Sequence, residues 1–277
     1  MLWLAASWRA YLVANYKCGN RMGATAPISM ELQIKLCQYT SDETIRKNVE
    51  HSITLDLPLL KLDSCSGTVS ICGGGPSLED TYRDLKGDVM ACNGTYDFLL
   101  KKGIIPKYLF LWDPGQKILD YLDNLQKETT YIVSSACCPE LFKKLEGYDV
   151  LLFHAYAEPV IQEVLTEKGK KGEYMIPGGC CAMTRSPVVA YFMGYREIHL
   201  HGADSSLKDG KSHVGDGTPN RNVIDVTCAG RTFYTPTWLA AQAEEFIPIV
   251  QNLMPQAKVK VHGDGLLPHI AKQHGYV

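Results

Sequence analysis

The residues best placed to do chemistry in this chain begin with glycines. Ile71 to Asp80 reads ICGGGPSLED, so Gly73, Gly74 and Gly75, then Pro76 and Ser77, fall between an apolar run and a helix-like segment. Glycine lets backbone amides come close to an anion and adopts positive φ without strain. Proline suits the first turn of a helix, where its missing N–H costs nothing, and Ser77 adds a hydroxyl. Amides and dipole at a helix start favour phosphate, so Gly73, Gly74, Gly75 and Ser77 read as a phosphate cradle. A tight turn that merely needs glycine explains the same residues. The loop is not the dinucleotide fingerprint: Leu78 stands at its third glycine position, and Asn93, not an acid, ends the next strand-like run. Gly210-Lys211-Ser212 has the ending of a Walker A loop, but Ser205 occupies the leading glycine position.

Two further groupings carry donor atoms. His199 and His201 alternate with Ile198 and Leu200, which puts both imidazoles on one face of a strand. That spacing can hold a metal ion once a third ligand arrives; a half-buried strand with one polar face gives the same pattern. The 10 cysteines include the adjacent pairs Cys137-Cys138 and Cys180-Cys181 but no C-x-x-C. Neither a zinc ribbon nor a small disulfide framework is indicated. Cys72 and Cys92 close apolar runs, where a thiol acts as a small hydrophobe, as expected of a reduced, cytoplasmic protein. Neither a G-x-S-x-G elbow nor a Ser-His-Asp order is present, which leaves hydrolase chemistry without support.

The elements that must position these residues change character along the chain. Residues 1–66 show helical signals and no clear strand: Thr40-Ser41-Asp42-Glu43 fits a capping box, and Ile45, Val49 and Ile53 recur every four residues. MLWLAASWRAYLVA has the apolar texture of a secretory signal, but it has no positive leading region, Arg9 interrupts it and no small-residue cleavage site stands out, so it reads as an amphipathic helix. From Thr68 onward, short apolar runs alternate with longer amphipathic segments: TVSIC, DVMAC, YLFLW, YIVSS, DVLLFHA, EIHLHG and VKVHG. That alternation predicts an α/β fold with a mostly parallel sheet, a helical extension over residues 1–66 and the main domain over 67–277. Thr237 to Met254 is predicted helical.

Composition narrows the partners. With 277 residues, 45% hydrophobic and 21% charged, there is material for one large domain. A formal charge of -2 gives no general attraction to nucleic acid or anionic membrane, so an anion must be held locally. No run approaches the roughly 20 apolar residues of a bilayer span. The lysines of EKGKKGE read as a solvated loop. A homo-oligomer is compatible with this composition.

GGGPSLED, ACNGTYDFLLKKGIIPKYLFLWDP and GYREIHLHGAD followed by KSHVG together resemble the MptE-like family of 6-hydroxymethylpterin diphosphokinases and motility accessory factors. They are more distantly similar to bacterial sialyltransferases that use a CMP-sugar. The resemblance spans roughly residues 41–215 and implies a Rossmann-like sheet that binds a small-molecule nucleotide, ATP or a nucleotide-sugar, and a hydroxyl-bearing acceptor. Diphosphoryl transfer from ATP with Mg2+ is the first activity it implies and glycosyl transfer the second. A noncatalytic nucleotide-binding protein is a third reading. By resemblance, Gly73, Gly75, Pro76 and Ser77 match the loop that meets nucleotide phosphates, and Asn93 bonds the nucleotide, whose ribose or base lies beside the strand that Asn93 ends. Asp113 and Asp204 become ligands of the metal ion. Asp204 otherwise contacts donor or acceptor, and His213 takes a proton from the acceptor. Asp113-Pro114 is equally a common turn opener, and His213 reads otherwise as a loop histidine. IPGGCCAMTRSP departs from the family pattern by extra residues and Pro187; Gly178 and Gly179 are still expected to face the nucleotide, with Thr184 or Arg185 nearby.

Overall fold

The computed structural model describes residues 40–157, 159–214 and 222–277, with the short strands β1 (Leu12–Val13) and β2 (Glu31–Leu32) paired antiparallel. The rest of residues 1–39, including most of the amphipathic helix expected there, lies outside the described residues. From residue 40 the chain follows its local signals. Ser41 caps helix α1 (Asp42–Ser52), its side chain accepting from the Thr44 amide at 3.2 Å. Ile45 and Val49 are buried on one face of that helix.

The apolar runs form a parallel sheet. Strands β3 (Thr68–Cys72), β4 (Asp88–Cys92), β5 (Tyr108–Leu111), β6 (Thr130–Ser134) and β7 (Asp149–Ala155) lie side by side in chain order, and β8 (Met175–Ile176) ends that edge. The chain then returns to the other side of β3, where β9 (Glu197–His201) pairs with it and β12 (Lys258–Val261) closes the sheet. The order is β12-β9-β3-β4-β5-β6-β7-β8, eight parallel strands. Its topological switch point falls between β3 and β9, and ligands in such sheets collect outside the carboxyl ends of the strands at that point.

Helices cover both faces. Side chains of α1, α5 (Pro159–Glu167), α6 (Ala182–Met193), α7 (Thr237–Leu253) and α8 (Leu266–Gln273) pack on one face against Ile71, Met90, Phe110 and Leu200. The short α2 (Leu78–Thr81), α3 (Thr95–Lys101), α4 (Pro139–Lys144) and a 3-10 helix over Gln116–Tyr121 pack on the other against Ala91, Leu109 and Val133. Consecutive strand residues bury on both faces, as a doubly covered parallel sheet requires. Leu60 shares the core of Ile45 and Val49, so the described end of the 1–66 extension packs into the main domain.

The hairpin of β10 (Val223–Cys228) and β11 (Arg231–Pro236) stands apart from the sheet. Its turn places Ala229 at φ 44° and Gly230 at φ 82°, the double positive φ of a tight hairpin turn. Pro187 does not break α6: it lies inside the helix, which starts at Ala182 and ends on Gly194 at φ 116°.

Candidate active site

The carboxyl ends of β3 and β9 meet through backbone. The Gly73 amide donates to His201 O and the Gly75 amide to Gly202 O, both at 2.8 Å. The spacing explains the glycines. A Cβ on Gly73 would lie 2.4 Å from Met183 Sδ and 2.8 Å from Gly202 O; on Gly75 it would lie 2.6 Å from Gly202 O. These glycines serve close approach, and φ is not positive at any of the three.

Ser77 is also committed within the protein. Its amide donates to Asp204 Oδ2 at 2.7 Å and its hydroxyl donates to Asp204 Oδ1. Asp204 is 3% exposed, and burial pushes its carboxyl up to about 6 against the opposing Ser77 hydrogen bonds. Four of the donors expected to converge on a phosphate, the Gly73, Gly75 and Ser77 amides and the Ser77 hydroxyl, thus go to the carbonyls of His201 and Gly202 and to Asp204. The helix after the loop is a single turn. Among the described residues, Gly74 is the glycine of the three whose amide has no backbone acceptor.

His213 lies over Gly74: a Cβ there would be 2.7 Å from its Cδ2. The Val214 amide donates to Gly74 O at 2.7 Å, which ties the histidine loop to the glycine loop. His213 Nδ1 is 2.9 Å from Ser212 Oγ, and its ring stacks on Trp238 with centroids 6.0 Å apart. Part of the residue is open to solvent, yet desolvation of the ring, and then the positive charge of Lys117, hold its pKa below the ordinary histidine value. A neutral imidazole with Nδ1 engaged leaves Nε2 to take a proton.

Asn93 follows β4 at φ 49°, and its side-chain Oδ1 is buried without a hydrogen-bond partner among the described residues. Such an orphan acceptor costs about 1–3 kcal/mol unless a ligand satisfies it. Next to it, a Cβ on Gly94 would touch the Tyr121 ring at 3.0 Å, and the charge of Asp113 reaches Tyr121. Asp113 itself is exposed, and its Oδ1 accepts from the Gly115 amide at 2.8 Å. That is the turn-opening geometry of Asp-Pro. The expectation that Asp113 and Asp204 share a divalent cation does not fit this arrangement. A hard cation needs open carboxylate oxygens, and both oxygens of Asp204 are enclosed and taken by Ser77.

Gly178, Gly179 and Thr184 also turn inward. The guanidinium of buried Arg185 donates to Gly179 O at 2.8 Å, Gly178 O at 3.3 Å and Ile176 O at 3.1 Å, with Trp112 stacked on it at 4.4 Å. The Thr184 hydroxyl donates to Glu245, which also accepts from the Cys180 amide at 2.9 Å. Glu245 therefore occupies part of the α6 N-terminus with the protein's own carboxylate. Gly74, Asn93 and Asp113 follow the adjacent parallel strands β3, β4 and β5 at the carboxyl edge of the sheet, and His213 lies over Gly74. Lys117 and Trp238 join them. Sequence reasoning missed both: Trp238 opens a predicted helix, and Lys117 sits in a short 3-10 segment with no motif.

The fold defines a doubly wound α/β protein with a candidate site at the sheet's switch point. The chain belongs to the MptE-like family, described as 6-hydroxymethylpterin diphosphokinase MptE-like, whose model matches residues 43–210. No curated protein matches it. Its fold is similar to a solved MAf glycosyltransferase from Magnetospirillum magneticum AMB-1, with a TM-score of 0.62 and 20% identity over 81% of this chain. The chain spans 36% of that larger protein. No helix among the described residues is long and apolar enough to cross a membrane.

Proposed function

We propose that the chain is a nucleotide-dependent transferase that moves a glycosyl group from a nucleotide-activated sugar to a hydroxyl acceptor. The observation that carries this reading is His213 laid over Gly74 with Nε2 free among the described residues. Asn93 Oδ1 accepts a hydrogen bond from the nucleotide's ribose or base, satisfying its buried orphan. The Gly74 amide and the Lys117 ammonium face the donor's phosphate, where negative charge grows as the sugar departs. His213 Nε2 takes the acceptor's hydroxyl proton while the acceptor oxygen bonds to the anomeric carbon. The sugar-to-phosphate C–O bond breaks, and its electron pair stays on the phosphate oxygen. Asp204 serves as a positioning residue: through Ser77 it holds the glycine loop in register with β9.

The family description favours a second reading, diphosphoryl transfer from ATP. The same His213 could deprotonate that acceptor, but the chemistry calls for Mg2+ on carboxylates, and Asp113 and Asp204 do not offer a pair. The two readings separate by calorimetry with CMP, UDP, GDP and ATP, each with and without Mg2+, followed by turnover. We expect a nucleotide to bind without Mg2+ and its sugar conjugate to be consumed. His213→Ala should lower kcat by roughly 10²–10⁴-fold with binding retained. The wild-type rate should be flat above neutrality and fall as His213 protonates, at a pH below the ordinary histidine range near 6.5. Diphosphoryl transfer from Mg-ATP to a hydroxymethylpterin would establish the second reading, and a chain that binds no nucleotide would overturn both.

A further inference from the structure

A second set of donor atoms lies behind the glycine loop, on the face of β9 opposite Ile198 and Leu200. His199 and His201 are both fully buried, so a half-exposed polar face does not account for them. The missing third partner comes from the residue after β12: ligating nitrogens of His199, His201 and half-buried His262 lie within 4.8 Å of one another. Among the described residues this is the one such group of three or more side chains.

From this geometry we infer a transition-metal site, formed by His199, His201 and His262, that takes a divalent ion of the zinc type. Three observations converge on it. First, His199 Nδ1 and His262 Nε2 are 2.9 Å apart. Two nitrogens on one tetrahedral zinc with bonds near 2.0–2.1 Å are roughly 3.3 Å apart, so the separation of this pair is already within a few tenths of an ångström of what one ion needs. Second, His199 Nε2 faces Glu197 Oε1 at 3.2 Å, the carboxylate-imidazole contact that fixes the tautomer of a metal ligand and leaves its other nitrogen for the ion. Third, both ring nitrogens of His201 are buried with no hydrogen-bond partner among the described residues. A fully buried side chain with two orphaned polar atoms calls for a partner of its own.

The rings also show what must move. His201 and His262 are stacked with centroids 4.3 Å apart and planes at 4°, and His199 stacks on His262 at 5.0 Å and 11°. Ring lone pairs lie in the ring planes, so three parallel rings cannot all aim at one ion. Loading turns His262 out of the stack. It is the half-buried member and sits on a loop rather than in the sheet, next to Gly263 at φ 102°. The fourth coordination position faces that open side and takes water. All three imidazoles bind as neutral ligands through nitrogen, a donor set suited to zinc or cobalt over magnesium. The site does not depend on the transferase reading.

The test is titration of the metal-free full chain with Co(II) and Zn(II). We expect one equivalent of Co(II) to produce the visible bands of a four-coordinate site, with no thiolate charge-transfer band, and Zn(II) to displace it and raise the unfolding temperature. His262→Ala changes a half-buried loop residue, so its fold is preserved. It should abolish the visible bands. Glu197→Gln should keep the spectrum and weaken affinity roughly 10- to 100-fold. A folded wild-type chain that binds no Co(II), as expected if water satisfies His201, would overturn the inference. So would a His262→Ala chain that binds as the wild type does, or a thiolate band marking capture by cysteines.

Discussion

At the residue scale, Asp204 shows how a sequence position can be placed at the right strand end and assigned the wrong work. It does lie at the switch point, but its carboxylate is enclosed by Ser77 and by the chain after β12, where a Cβ on Gly265 would meet the Asp204 backbone oxygen at 2.5 Å. Its two Ser77 hydrogen bonds do not fully repay burial, so its pKa in the fold is raised to about 6. A carboxyl whose folded pKa exceeds its unfolded value near 3.9 adds most stability when protonated. That contribution is present below about pH 4 and is lost as pH rises through about 6. Asp204→Asn keeps the shape and cannot titrate. The stability of the wild type relative to this variant should therefore fall by about 2 kcal/mol between pH 4 and pH 7. Urea unfolding of both proteins at several pH values measures it. A difference that stays constant would show that the Ser77 bonds balance burial, and one that grows with pH that they outweigh it.

At the element scale, the segment leading into α6 depends on one side chain. β8 is two residues long, and the turn through Gly178 and Gly179 has its carbonyls facing the interior. Arg185, one turn into α6, reaches back to both of those carbonyls and to Ile176 O of β8. Arg185→Met keeps most of the volume and leaves the carbonyls buried without that donor, so we expect a loss of roughly 2–4 kcal/mol. Faster amide exchange should be confined at first to residues 174–180. A midpoint unchanged from the wild type would mean that water replaces the guanidinium without cost. The sequence makes the neighbouring long elements legible and this one obscure, for a physical reason. Strands such as TVSIC and DVLLFHA are buried on both faces and read as apolar runs, and α1 and α7 carry the helical period. β8 is too short to show any period. The turn of the β10 and β11 hairpin is Ala-Gly, without the asparagine or aspartate that usually marks it. The mouth was legible as positions, since Gly74 and Asn93 follow adjacent strands and His213 lies over Gly74. Which donors were already used was not, because Gly202 and Asp204 reach the loop from across the fold and only packing shows the spacing. His262 escaped in the same way, as a lone histidine after an edge strand.

At the scale of the whole molecule, the sheet order decides what is appendage and what is core. The first described helix, α1, comes before any strand of the large sheet, and its texture differs from that of the strand-rich residues beyond Thr68. In the fold it lies across the β6 and β7 side of the sheet, where Asn48 donates to Ala136 O at 2.8 Å and to Pro114 O at 3.2 Å, and Ser52 donates to Ser135 O at 2.9 Å. These bonds tie α1 to the loops after β5 and β6, on the same carboxyl edge as the mouth. Val49 has no exposed surface and shares its core cluster with Phe153, Val160 and Val164. Val49→Ala should therefore act on the whole domain, costing about 2 kcal/mol through the lost methyls and the space they leave. That lowers the midpoint of the main thermal transition by a few degrees in a chain of this size. Calorimetry distinguishes the outcomes. One transition, moved as a unit, means that α1 belongs to the cooperative core. A separate earlier transition, with the main one unmoved, would mean that α1 melts alone, and the Asn48 and Ser52 bonds would then be too weak to couple it to the loops around the mouth.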